Sequence, residues 1–282
     1  MDVMSLNHFF WNVLTDIDFN LPLYIVSTGY WINQPQVVRK EGYKAYQWIQ
    51  CFDGQGLLEI DGKSIPIAKG QGMLLYPGVA HRYFPVSEPW TVRWIAFNGK
   101  FAESLLHSLH LQKSMVLYTT KPELLLTRIN EINSIFGIRR NISSYEGSHL
   151  LYGLILDIFR YTSLSDNRSN QEQYEHLKPV MDYIETHFDQ PISLLDLANQ
   201  LAVTPPYTCV LFQQTLGTRP FEYINLFRIR KAKELLQLYP ELEIKTISTK
   251  VGFESPSYFI KLFKKHEGIT PNEFKKMHTI HL

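Results

Sequence analysis

The sequence predicts an α+β chain of more than one domain: an N-terminal β-barrel followed by helices, then an all-helical domain built on two helix-turn-helix units. Three observations carry this. Leu21 to Phe97 is rich in β-branched and aromatic residues, cut at short intervals by Gly, Pro, Asn and Asp, the pattern of an antiparallel barrel or sandwich. After Asn98 the hydrophobic period changes from that of a strand to that of a helix. Near the C-terminus one helical pattern occurs twice. At 282 residues the chain is about twice the usual domain length, which agrees with a division.

Within the front half, Gly56 to Ile60 and Lys63 to Ile67 flank Asp61-Gly62, a two-residue loop whose residues tolerate the positive φ of a type I′ hairpin turn. Further turns are expected at Gly70-Gln71-Gly72 and Pro77-Gly78. Strands follow around Met73 to Tyr76, His81 to Val86 and Thr91 to Phe97. Leu125, Ile129, Ile132 and Phe136 then fall on one helical face, and Leu151, Leu154, Ile155, Ile158 and Phe159 form a second stripe. These two helices either form a subunit interface or cover the open side of the barrel, since each role needs an apolar stripe. Residues 163–173 are polar and are expected to be a linker between a domain at 1–162 and another at 174–282.

The back half repeats at an offset of 50 residues, becoming 51. Leu197 to Val203 matches Ile247 to Phe253, Thr204-Pro205 matches Ser255-Pro256, Leu211-Phe212 matches Leu262-Phe263, and Gly217 matches Gly268. Ser193 with Asp196 reads as a capping box, Thr204 and Ser255 as N-caps with Pro at N1, and the two glycines as helix stops. Each copy is therefore helix, tight turn, helix, with a second helix able to enter a DNA major groove. A helix from Arg219 to about Leu238 joins them. At 1.5 Å per residue it is about 30 Å long, close to the ~34 Å between successive major grooves. From Ile244 onward seven lysines stand against three glutamates, so the second unit is basic, whereas the first opens with Glu175, Asp182, Glu185 and Asp189.

Composition narrows the function classes. With 45% hydrophobic and 20% charged residues the chain folds, and its net charge of +1 gives no global attraction to nucleic acid or anionic membrane. Any such role rests on local charge. Cys51 and Cys209 match neither a disulfide framework nor paired zinc ligands, which suits the cytoplasm. The N-terminus lacks the basic region of a secretory signal, and the most apolar stretch, Leu150 to Phe159, is too short to span a membrane.

The run Ile247 to Phe253, then Ser255-Pro256-Ser257-Tyr258-Phe259, Leu262-Phe263-Lys264-Lys265 and Gly268-Ile269-Thr270-Pro271 resembles the signature of the AraC/XylS transcription regulators. With the first unit, the resemblance covers about Tyr174 to Lys276. It implies a seven-helix DNA-binding domain that contacts double-stranded operator DNA through Pro206, Cys209 and Val210 on one helix and Ser257, Ile260 and Lys261 on the other, with Gln213 and Lys264 as further candidate DNA-contacting residues on the same helices. Val210 stands where the family commonly has a basic residue, and Gln213-Gln214 replace a usual basic pair. The resemblance also implies a homodimer, with RNA polymerase a further candidate partner.

Residues 20 to 100 or so resemble, more weakly, the cupin-type sensor domain of the family's sugar-responsive members. Gly72 through Pro77-Gly78-Val79-Ala80-His81 is similar to the second cupin motif, with His81 in the metal-ligand position. A metal cupin also needs a His-x-His pair, and Tyr46-Gln47-Trp48 offers none, so neither metal nor cofactor is expected. Arg39, Tyr83 and Trp94, with His81 nearby, fall where sugar-responsive members contact their ligand. Val92 replaces a pocket histidine of such members. The chemistry suits a sugar-like effector, since an indole offers a face to C–H groups and a guanidinium a fork of donors to oxygens. The expected function is ligand-responsive regulation of transcription, controlling sugar uptake or catabolism genes, and not catalysis. The rivals are a metal-dependent cupin enzyme with a helical appendage and a DNA-binding protein whose barrel only dimerises.

Overall fold

The computed structural model describes residues 7–137, 143–164 and 169–278, with the side chains of Phe136, Gly137 and Ser143 outside the described set. The chain forms two compact units that meet between Gln171 and Glu172.

In the first unit, β1 (His8–Trp11), β2 (Tyr24–Trp31), β9 (Thr91–Asn98), β4 (Tyr46–Asp53), β7 (Gln71–Leu75), β10 (Met115–Thr119) and β11 (Thr162–Ser163) lie side by side in one sheet. A second sheet runs β3 (Val37–Arg39), β8 (His81–Pro85), β5 (Gln55–Ile60), β6 (Lys63–Ala68), and two short helices, α1 (Asp16–Asn20) and α2 (Ala102–Ser108), accompany the strands. The two sheets do not close on each other among the described residues, so the expected barrel takes an open form, two facing sheets. Edge strand β6 carries Lys63 and Pro66, a charge and a missing donor that discourage pairing with another chain. The Asp61-Gly62 hairpin is present, with φ of 50° and 70°.

Two strands lie where the sequence reads as helical. β10 pairs with β7, and β11 pairs with β10, both through contacts distant in sequence. β11 takes Ser163 out of the expected linker, and α5 (Asn170–His187) takes residues 170–173 into a helix. The linker residues 165–168 lie outside the described residues.

Alternation along β9 sets the two sides of the large sheet. Ile95 and Phe97 face α3 (Pro122–Gly137) and α4 (Ser143–Tyr161), packing with Trp48, Leu125, Ile129, Ile132, Leu151, Leu154, Ile155 and Ile158 in one core. Both apolar stripes therefore cover the sheet. Val92 faces the other sheet, in a second core with Ile49, Cys51, Leu58, Met73 and Trp90. Phe136, counted in the α3 stripe from sequence, lies outside the described side chains.

The second unit holds seven helices among its described residues: α5, α6 (Leu194–Leu201), α7 (Pro205–Leu216), α8 (Pro220–Leu238), α9 (Ile244–Lys250), α10 (Pro256–Glu267) and α11 (Pro271–His278). α8, about 28 Å long, contributes Ile224 and Phe227 to one core and Ile229, Ala232 and Leu236 to another. The repeat seen in sequence is thus two helix-turn-helix units with separate cores on one shared helix. Ser193 and Asp196 form the capping box, Ser255 accepts from the Tyr258 amide, and Gly217 and Gly268 end α7 and α10 in left-handed conformations. Thr204 occupies the N-cap of α7 with extended backbone, but its hydroxyl makes no cap bond.

Candidate ligand cavity and nucleic-acid interface

A cavity of about 270 Å³ opens between the two sheets of the first unit, and Arg39, Tyr83 and Trp94 all line it. Strand register explains the convergence. Val37 pairs with Tyr83 and Arg39 with His81, which puts all four on one face of the small sheet. Across the gap, Gly29 pairs with Trp94 and Trp94 with Ile49 on the facing side of the large sheet. The Arg39 guanidinium lies over the Tyr43 ring at 4.3 Å, and its Nε is buried with no hydrogen-bond partner. Burial pushes the Tyr83 hydroxyl up to about 12, against a smaller opposing pull from Arg39, so it stays a neutral donor.

His81 is not brought to the cavity. Its Nδ1 meets the Val79 carbonyl at 2.8 Å, its ring stacks on Tyr83 at 6.0 Å, and burial holds its pKa below the ordinary value. Among the described residues no group of three His, Cys, Asp or Glu side chains is placed to hold a metal ion. Val92 is fully buried in the core beneath the cavity and does not line it.

The cavity also has members that the resemblance did not single out. Phe9 and Trp11 come from β1, exposed aromatic side chains with no sequence signal beyond their spacing. Gln47 and Ser27 contribute buried polar groups. Their signal was a polar residue at an inward position of an otherwise apolar strand, and the β pattern of Tyr46-Gln47-Trp48-Ile49 carries it once the pleat is assigned.

In the second unit, Pro206, Val210 and Gln213 are exposed on α7 with Cys209 partly buried, and Ser257, Ile260, Lys261 and Lys264 are exposed on α10. Each set falls at i, i+3, i+4, i+7 of its helix, opposite the buried Leu211 and Phe212 or Phe259 and Phe263. The two faces correspond position for position at an offset of 51. They differ in chemistry: α10 ends in Lys264, Lys265 and His266, while α7 carries no basic residue in its last turn.

Residues 26–135 match the family model described as the AraC-like ligand binding domain, and residues 197–277 match a helix-turn-helix domain. The chain belongs to the AraC family of transcription regulators. Among AraC-family relatives, it is 27% identical to the lactose operon transcription activator of Staphylococcus xylosus over 79% of this chain and 80% of that one. It is 26% identical to the arabinose operon regulatory protein of Escherichia coli over 84% and 82%. A solved structure, the C-terminal domain of the response regulator AraT from Geobacillus stearothermophilus, is 33% identical over 37% of this chain and 87% of that chain, with a TM-score of 0.35. The AraC-family assignment makes the chain a ligand-responsive, DNA-binding regulator, and it gives each unit its part: a ligand-binding fold first, then a tandem helix-turn-helix. Among the described residues no helix is long and apolar enough to cross a membrane.

Proposed function

We propose that the chain is a sugar-responsive regulator of genes for sugar uptake or catabolism, acting in the cytoplasm as a homodimer on operator DNA and without enzymatic activity. The observation that carries the sugar reading is the meeting of Arg39, Tyr83 and Trp94 around one small cavity. A largely apolar and aromatic wall with a few placed polar groups is the form of a small-molecule site. The relatives whose names mention arabinose and lactose operons point the same way. His81 takes no part in contact with the effector in this reading, but supports Tyr83 from behind. The DNA-reading residues are Pro206, Cys209, Val210 and Gln213 on α7 and Ser257, Ile260, Lys261 and Lys264 on α10.

Since the stripes of α3 and α4 are spent on the sheet, the dimer contact needs another face. Tyr145 and Tyr152, seven residues apart and half-exposed on α4, supply the apolar area for one. Effector binding would favour one arrangement of the dimer on DNA, by no more than its difference in affinity between arrangements.

Selection of binding sites from random duplex DNA, followed by titration of the full chain with sugars, tests both halves. A specific operator should emerge, with log affinity falling linearly in log salt as phosphate contacts release counterions. A sugar should change Trp94 fluorescence, and Trp94→Ala should weaken its binding in a folded chain. Equal affinity for every DNA sequence, or unchanged sugar affinity in the variant, would count against the respective half.

A further inference from the structure

The inner end of the cavity is polar where its walls are aromatic, and the register shows how. Ser27 pairs with Ala96, and Ala96 with Gln47, so three neighbouring strands present these side chains in one row on one face. Ala96 contributes only a methyl group. The Ser27 hydroxyl and the Gln47 carboxamide therefore flank a shallow trough about 10 Å across, two strand spacings.

Gln47 is 4% exposed, and its Oε1 is buried with no hydrogen-bond partner. Gln50, three residues on and facing the opposite side, shows the contrast. Its carboxamide donates to the Gln71 carbonyl at 3.0 Å and accepts from Thr119 at 3.1 Å. One strand thus holds a satisfied glutamine and an unsatisfied one, and the unsatisfied one lines the cavity. A buried carboxamide without its bond lowers stability, and function is a common reason for such a cost to persist. On the other wall the buried Arg39 Nε is a second unpaired group, able only to donate.

A ligand that completes this site brings an acceptor to Arg39 and a partner to Gln47. Hydroxyl groups do both, and they pair with the carboxamide in either of its orientations. Trp94 offers its ring to the C–H face of the same molecule. At about 270 Å³ the cavity sits just below the ~300–1,000 Å³ range of ligand pockets, room for one ring.

We propose that Gln47, with Ser27 beside it, determines effector specificity, and that the site takes one neutral pyranose or furanose ring by hydroxyls on a single edge. The inference rests on the sugar-sensor reading above.

The test titrates the full chain calorimetrically with L-arabinose, D-galactose, D-glucose, lactose and D-galacturonate, for wild type and for Gln47→Leu, Gln47→Met and Ser27→Ala. A neutral monosaccharide should bind wild type best. Both Gln47 variants should bind it tenfold or more weakly, and Ser27→Ala should weaken it less. The sugar-free melting temperature of the Gln47 variants should hold or rise, since an unpaired polar group has gone. One deoxy form of the bound sugar should lose as much on wild type as the parent loses on Gln47→Leu, with no further loss when the two changes are combined. Wild-type affinity in both Gln47 variants would overturn the assignment and leave the sensor reading standing. So would a fall in the sugar-free melting temperature of both, which would make the carboxamide structural. Preference for lactose or D-galacturonate would overturn the single neutral ring. If none of the five sugars binds wild type, the sensor reading fails and takes this inference with it.

Discussion

Trp94 packs against Gly29, its direct partner across β2 and β9, so closely that a Cβ on Gly29 would lie 2.6 Å from the indole Cζ2. The same device recurs at Trp90 over Gly56 and Trp48 over Gly72. Behind Gly29, the Thr28 hydroxyl lies 2.9 Å from the Trp94 carbonyl and 2.7 Å from Asn133 Oδ1 on α3. The cavity wall is thus set by a missing side chain on one face and tied to a helix on the other. A glycine inside a strand normally weakens it, and here the gain is the close approach of a ring.

A Cβ on Gly29 would also lie 2.5 Å from the His8 carbonyl oxygen on β1, so Gly29→Ala should displace the Trp94 indole into the cavity and press β1 away from β2. Overpacking of this kind costs about 1–3 kcal/mol of stability. Urea unfolding should show that loss, and sugar affinity should fall further than the stability change accounts for. A variant with wild-type stability and wild-type affinity would show that both the ring and β1 have room to move.

His81 gives the first unit a pH dependence of calculable sign. Burial first, and then the Arg39 charge, lower its pKa below the ordinary 6.5, against the opposing hydrogen bond to the Val79 carbonyl. The unfolded chain takes up the proton near the ordinary value while the folded chain still resists it. The contribution is full above that value and is lost as pH falls from about 6.5 towards the folded pKa. His81→Asn, which keeps a donor for Val79, should lose less stability than wild type between pH 7.5 and 5.5 in paired urea titrations. Identical losses would show that His81 does not titrate in the folded chain in the way its burial dictates.

Arg228 on α8 ties the two helix-turn-helix units together. Its Nε and Nη2 each donate at 2.7 Å, to the carbonyls of Phe188 and Gln190 ahead of α6, and its guanidinium lies 5.6 Å from the Phe253 ring in the turn before α10. A lysine cannot serve two carbonyls with a rigid fork. Arg228→Lys should lower the stability of the second unit by about 1.5–3 kcal/mol, the scale of one hydrogen bond to a charged group. Thermal unfolding checks this, and an unchanged transition would leave the two units held by α8 packing alone.

Features governed by neighbours in sequence were legible, and those governed by distant partners were not. Asp61-Gly62, Ser193 with Asp196, and Gly268 each fix backbone geometry within a few residues, so hairpin, cap and helix stop could be read directly. β10 and β11 could not, because Met115 to Thr119 becomes a strand only by pairing with β7 some forty residues earlier. In the cavity, Arg39, Tyr83 and Trp94 were found by resemblance and lie together. His81 shares the inward face of Tyr83 but is not among the residues lining the cavity, with its ring stacked on Tyr83 and its Nδ1 at the Val79 carbonyl. Gln47 was passed over because a glutamine's meaning depends on whether its bonds are made.

The two DNA-reading helices should contribute unequally. On α10, Lys261 is exposed at the centre of the outward face, where its ammonium would be free to meet a guanine edge or a phosphate of bound DNA, and Lys264 would add to contact with the DNA backbone. The corresponding position on α7 is Val210, 43% exposed, with the half-buried Cys209 beside it. Neither offers strong hydrogen bonding, so apolar contact with thymine methyl groups is the readout expected of them. Lys261→Ala should cost about 1–3 kcal/mol of operator affinity if it reads a base, with discrimination lost at one position. If it contacts only a phosphate, affinity should drop evenly across sequences and the salt slope should fall by about 1. Val210→Ala should cost clearly less and relax preference at a thymine. Measuring both variants against a mapped operator at several salt concentrations separates these outcomes. A larger loss from Val210→Ala would make α7 the principal reader and reverse the division of labour drawn from the charges.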